Sequence, residues 1–364
     1  MNSLQLIDRI KKNRAARILG IDINIVHECI DEWSRPHRYY HSLENHLFPL
    51  FEEIATYSGF PNDVTDIMEL IALFHDVVYD SKSTKCNEEQ SAEFFMGCIA
   101  ENEKDCKEAT KIANSILDTQ YMIKRDPYCE ESELFQRIDL GSLLDGNWPN
   151  LMQAERLLRK ENQFISYPTY KSMRITFLKK FADLYSKECD TATINQLIDY
   201  VTRYKPKIGV YAGSFKPFHI GHLNILEQAE RLFDKVIILC ASNPDKVYGI
   251  AQDKDWYSDV KDSLPYHEVV RYPGLTTNVL AEIREYADVT LIRGLRNGYD
   301  LQYEMNQLRF MEELDVDTNV VFFTCGAAYQ HISSSQVRQL LLMSRPDGVK
   351  YLPTKYDYYR NNKE

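Results

Sequence analysis

A short apolar run, Lys207-Ile208-Gly209-Val210-Tyr211-Ala212, passes directly into Gly213-Ser214-Phe215-Lys216-Pro217-Phe218-His219-Ile220-Gly221-His222. Beyond it, Leu223, Ile225, Leu226, Ala229, Leu232 and Phe233 recur near a helical period. The order is strand, tight loop and helix start, the opening of a βα unit in a parallel sheet. Glycine lets backbone pass close to a ligand, and exposed N–H groups at a helix N-terminus attract phosphate, so the loop suits a polyphosphate. His219 and His222 would project toward the bound phosphates as donors.

Three later segments follow in the order such a sheet requires. Lys235-Val236-Ile237-Ile238-Leu239-Cys240-Ala241 reads as a second buried strand, ending in Ser242-Asn243-Pro244-Asp245-Lys246. Ligands of open α/β sheets gather at the carboxyl ends of strands, which puts Lys246 at the mouth of a site. Val289-Thr290-Leu291-Ile292 is another strand, running into Arg293-Gly294-Leu295-Arg296, whose guanidinium forks stay charged and grip phosphate bidentately. Val320-Val321-Phe322-Phe323-Thr324 precedes His331-Ile332-Ser333-Ser334-Ser335-Gln336-Val337-Arg338, where serine hydroxyls at a helix start make a second anion site.

The first loop resembles the HxGH signature of the nucleotidyltransferase superfamily. Taken together, GSFKPFHIGH, NPDK, IRGLRNGYDLQYE and ISSSQVR resemble the bacterial phosphopantetheine adenylyltransferase family over residues 205 to 364. Arg293-Gly294-Leu295-Arg296 followed by Asp300, Tyr303 and Glu304 is the specific part of the likeness. The resemblance implies a Rossmann-like fold and adenylyl transfer from ATP, escorted by Mg²⁺, to 4′-phosphopantetheine. It assigns chemistry to His222, His219, Lys246 and Arg293. It puts Gly213, Ser214, Phe215, His222, Arg296, Glu304, Ser333, Ser334 and Ser335 on ATP, and Ser214, Lys246 and Arg293 on the acceptor. Three departures stand out: Lys216 where the family has Asp, Ser214 where Thr is frequent, and a polar Val247 to Leu264 without the family's TLEER helix. Lys216 also resembles the GRFQPFH form of nicotinamide-mononucleotide adenylyltransferases. That acceptor stays open, as does a nucleotide-sensing protein without turnover.

Upstream the pattern changes to helical segments with few β-rich runs. Arg35-Pro36-His37-Arg38-Tyr39-Tyr40-His41 leads into a helix, Ile67 to Phe74 is an apolar helix ending in His75-Asp76, and Arg137-Ile138-Asp139-Leu140 sets a lone carboxylate in an apolar helical segment. Mixed imidazole and carboxylate ligands suit a divalent metal. The order H…HD…D, with Asn87-Glu88-Glu89-Gln90-Ser91-Ala92 between, resembles the HD superfamily of metal-dependent phosphohydrolases. That likeness makes His41, His75, Asp76 and Asp139 the metal ligands and gives Glu88 a possible catalytic role. Asn45 stands where the subgroup tends to carry histidine; His46, one residue along, is expected to point elsewhere on the helix.

The expected architecture is therefore an all-α HD-type domain over 1–203 and an α/β parallel-sheet nucleotidyltransferase over 204–364, divided at Tyr204-Lys205-Pro206-Lys207. A proline there ends a helix before the first strand. A formal charge of −11 argues against general nucleic-acid binding, which needs a basic stripe. Eight cysteines at irregular spacing, with no CxxC pair, read as reduced thiols. No apolar run approaches the roughly 20 residues of a membrane span. The expectation is a cytoplasmic homo-oligomer acting on ATP and a phosphopantetheine-like small molecule, with neither membrane nor nucleic acid as partner.

Overall fold

The computed structural model describes residues 1–57, 60–123, 125–241 and 256–353. The chain divides into two compact units: Met1–Glu161 with Lys171–Thr202, and Asn162–Tyr170 with everything from Arg203 onward. The sequence predicts one boundary at 203/204, whereas the second unit also takes in Asn162–Tyr170. Tyr167 and Tyr170 are among the apolar residues packed beneath that unit's sheet, and Lys235 donates to the Ile165 carbonyl.

Among the described residues the first unit is helical throughout. Its centre is the helix Asn62–Phe74, in which every residue from Ile67 to Phe74 is buried. Such a segment is surrounded on all sides, here by helices that include Phe48–Thr56, Lys107–Leu117 and Glu130–Asp139. Trp33, Phe51, Phe74, Phe95 and Phe135 are fully buried in this core, each worth about 1.5–3 kcal/mol by transfer. The Trp33 indole N–H donates to the Leu73 carbonyl at 2.9 Å and fixes the last turn before His75.

The second unit carries a five-stranded parallel sheet: β1 (Lys207–Gly213), β2 (Lys235–Ala241), β3 (Glu268–Tyr272), β4 (Asp288–Leu295) and β5 (Val320–Thr324), in the order β3-β2-β1-β4-β5. β1 is buried on both faces: Ile208, Val210 and Ala212 enter one apolar cluster and Tyr211 the other. At Gly209 a Cβ would stand 2.4 Å from Ile292 Cδ1 and 2.9 Å from the Phe233 ring, so any larger residue must displace these two packed side chains. Strand order reverses between β1 and β4, and the carboxyl ends of those two strands form the crevice where such sheets bind ligands. β3 went unread in the sequence because it is a short edge strand with Glu268 and Arg271 among its five residues. Helix Trp256–Ser263 lies in the stretch read only as polar.

Candidate functional site

In the second unit, the loop after β1 and helix Ile220–Glu230 build one wall of a pocket of about 360 Å³. Ser214, Phe215, His219, His222, Arg296, Glu304, Ser333, Ser334 and Ser335 line it, drawing together nearly the whole predicted ATP set. Gly213 ends β1 at the same place. Phe215 adopts a left-handed φ of 43°, a costly conformation for a side chain of its size. Burial of its ring, beside Tyr211, Phe218 and His222 at 5.0–5.4 Å, offsets that cost.

The His219 and His222 rings stack at 3.6 Å. The His219 backbone N–H donates to His222 Nδ1 at 3.2 Å, so a neutral His222 carries its ring proton on Nε2. Burial, then the nearby Arg296 charge, pushes the His219 imidazole down to about 4, which keeps that ring neutral. On the opposite wall, Ser333 caps helix Ser334–Met343 by accepting from Gln336 N. Ser334 Oγ donates to the Pro217 carbonyl at 3.1 Å, and Arg338 donates to that of Lys216, which ties this helix start to the first loop.

The two arginines at the end of β4 are placed differently. Arg296 lines the pocket and grips Asp300 with Nε and Nη2, both at 2.9 Å. Arg293 is not among the lining residues: its Nη1 donates to the Ala212 carbonyl at 2.7 Å and its Nε meets Glu304 at 3.1 Å. Arg293 lies within β4, and its guanidinium sits on the side of β1. Lys246 lies outside the described residues.

In the first unit, helix Asn62–Phe74 delivers His75 and Asp76 at its end, and Glu130–Asp139 delivers Asp139. His46 joins them, against expectation. The chain from Leu43 to Leu47 forms a π turn, with Leu47 N donating to Ser42 O at 3.1 Å. One extra residue in the turn shifts its register. Asn45 consequently faces its own loop, donating to Tyr39 O at 2.9 Å, while His46 Nε2 lies 3.2 Å from His75 Nε2 and 3.1 Å from Asp139 Oδ1. Asp76 Oδ2 stands 3.2 Å from His75 Nε2 and 3.9 Å from His41 Nε2.

The surroundings orient these groups. His75 Nδ1 is fixed on the Ala72 carbonyl at 3.0 Å, and the Tyr121 hydroxyl donates to Asp139 Oδ2 at 2.5 Å. Burial works against a charged His75, but the Asp76 charge and hydrogen bond and the Asp139 charge outweigh it and raise the ring to about 9. Burial likewise works against ionised Asp76, and the three histidines overcome it, holding that carboxyl well below its ordinary range. Two buried carboxylates thus demand positive charge at this point, and converging imidazole nitrogens provide a donor set for a divalent metal. His46, His75 and Asp76 offer ligand atoms within 4.8 Å of one another, with His41 and Asp139 flanking. Glu88 does not join them: it sits in the first turn of helix Asn87–Cys98, where its Oε2 accepts from the Cys86 thiol at 2.9 Å. A polar pocket of about 420 Å³ opens beside His46 and Asp139, lined also by Asn45, Asn147, Asn150 and Gln153.

Among the described residues no helix is long and apolar enough to cross a membrane. A family model described as cytidylyltransferase-like matches residues 210–340, within the second unit. The phosphopantetheine adenylyltransferase of Streptococcus sanguinis is 34% identical over 148 residues, 40% of this chain and 89% of that protein. That of Clostridium tetani is 34% identical over 137 residues, 37% of this chain and 84% of its own length. The Streptococcus pneumoniae enzyme is 34% identical over 160 residues, 43% of this chain and 98% of its own length. With nearly the full length of these relatives contained in it, the chain belongs to the phosphopantetheine adenylyltransferase family.

Proposed function

We propose that the second unit transfers the adenylyl group of ATP to 4′-phosphopantetheine, giving dephospho-coenzyme A and pyrophosphate. The observation that carries this reading is the meeting of His219, His222, Arg296 and the Ser333–Ser335 helix start around one pocket at the switch point of the sheet. An oxygen of the acceptor phosphate attacks the α-phosphorus in line, and the bond from the α-phosphorus to the bridging oxygen breaks. His222 donates from Nε2 to the developing charge, and the serine hydroxyls and helix dipole hold the departing phosphates. Two Arg293 donors are committed to Ala212 O and Glu304, so the rest of its fork, with Lys246, takes the acceptor phosphate. Mg²⁺ arriving with ATP supplies charge neutralisation. The exposed Tyr299, Tyr303, Phe310 and Leu314 on helix Gly298–Leu314 support self-association of the enzyme.

Mass spectrometry after incubation with ATP, Mg²⁺ and either phosphopantetheine or nicotinamide mononucleotide tests the acceptor. Dephospho-coenzyme A is expected. Formation of NAD instead would assign the Lys216 loop to the other acceptor, and nucleotide binding without either product would make the unit a sensor.

For the first unit we propose an HD-type domain that hydrolyses a nucleotide or another phosphate ester, with its substrate in the polar pocket beside His46 and Asp139. A divalent metal held by His46, His75, Asp76 and Asp139, with His41 alongside, supplies Lewis-acid polarisation of phosphate and acidifies water. The test is metal content of wild type against Asp76→Ala; equal content in both removes the basis for the reading.

A further inference from the structure

We propose that Glu161 is the positioning residue of the first unit's His/Asp cluster, holding His41 in the tautomer that presents Nε2 to a divalent metal. The proposal rests on the metal-site reading above and names a residue 120 positions from the histidine it serves.

Glu161 ends helix Trp148–Glu161, and its carboxylate has no solvent exposure. Burying a carboxylate is costly unless its oxygens are satisfied. Oε1 accepts the His41 backbone N–H at 3.1 Å. Oε2 lies 2.7 Å from His41 Nδ1 and accepts the Tyr79 hydroxyl at 3.2 Å. A carboxylate only accepts, so the ring proton of a neutral His41 sits on Nδ1 and the lone pair on Nε2. That nitrogen is 3.9 Å from Asp76 Oδ2, beyond hydrogen-bond range and within the span of two coordination bonds of about 2.1 Å. Tyr79 closes the arrangement from the other side, its ring stacked on the imidazole at 4.0 Å. Backbone, ring nitrogen and ring face are therefore all fixed, and the one ring atom left for a ligand points toward Asp76.

A carboxylate behind a ligating histidine sets its tautomer and raises its basicity, and loss of such a partner costs about 10–100-fold in metal affinity. The full chain is titrated with Mn²⁺ against a competing chelator in wild type, Glu161→Gln and His41→Ala. Glu161→Gln keeps the shape and an acceptor for the backbone N–H; it is expected to weaken Mn²⁺ by about 10–100-fold. Combined with His41→Ala, it should add nothing to the loss from His41→Ala alone. Histidine ¹⁵N spectra of the metal-free protein, with His41 assigned through His41→Ala, should show the Nδ1–H tautomer in wild type and its loss in Glu161→Ala. If Glu161→Ala does not fold, Tyr79→Phe, which releases Oε2 but retains the ring, should weaken Mn²⁺ by a smaller factor. Additive losses, or an Nδ1–H tautomer that survives Glu161→Ala, would overturn the role of Glu161 while leaving the metal site standing. Wild type that binds neither Mn²⁺, Co²⁺ nor Zn²⁺ would remove the metal site itself, and the proposal with it.

Discussion

Exchanging two neighbours in the π turn, Asn45→His together with His46→Asn, is expected to abolish metal binding at the first unit's cluster although the composition is unchanged. Successive residues of a helix are turned roughly 100° apart, and an imidazole Nε2 reaches roughly 6 Å from the axis, so histidine at 45 would hold its nitrogen on the order of 9 Å from the present one. Coordination bonds are about 2 Å long, and no rotamer recovers that distance. The exchange removes a ligand outright, so the loss should exceed the 10–100-fold typical of an outer-shell partner. Deleting Glu44, an exposed residue of the same turn, should act in the opposite sense. It returns the turn to α-helical bonding while the histidine keeps its place, so most of the affinity should survive. Both variants are titrated with Mn²⁺ against a chelator, and thermal melts confirm that they fold. An exchanged variant that binds like wild type, or a folded deletion variant that binds nothing, would refute the register argument.

In the second unit, His222→Ala should lower adenylyl transfer by about 10²–10³-fold, the usual worth of one aligned donor to developing charge, with the circular dichroism spectrum unchanged. His219 should make the fold acid-sensitive. Below pH 6.5 the unfolded ring takes up a proton that the buried ring, held near 4, refuses, so its contribution is complete above pH 6.5 and falls away down to about pH 4. The loss amounts to at most about 3 kcal/mol, read as melting temperature against pH; a curve for His219→Gln parallel to wild type over that interval would count against it. Trp33→Phe should cost about 1–3 kcal/mol, because the buried Leu73 carbonyl loses its 2.9 Å partner, and an unmoved urea midpoint would contradict this.

Strands β1, β2 and β4 were legible because a parallel strand flanked on both sides reads as a nearly unbroken apolar run, and the edge strand β5 because its five residues keep such a run; the candidate site segments follow from their ends. β3 was not, since Glu268 and Arg271 break its short apolar run. Arg293 and Arg296 looked equivalent in sequence, yet Arg293 within β4 faces β1 and Glu304, while Arg296, three residues on and past the strand's end, turns into the pocket. In the helical unit, His75, Asp76 and Asp139 were recognisable from their order. His46 was visible too, but a uniform helical register excluded it, and nothing local in a sequence announces a π turn. Glu161 and Tyr121 carry no signal at all: they are one acid and one tyrosine among many, made significant only by the folding of distant segments onto His41 and Asp139.

The buried Phe215 ring has a thermal consequence. A loop whose shape is stored in an aromatic side chain of the core cannot open without drawing that ring into water. Local fraying of residues 213–218 therefore carries the cost of exposing that ring, about 1.5–3 kcal/mol, and their amides should exchange with solvent hydrogen more slowly than those of a loop with no buried anchor. On warming, the loop should keep its shape over a range in which an unanchored loop would already fray.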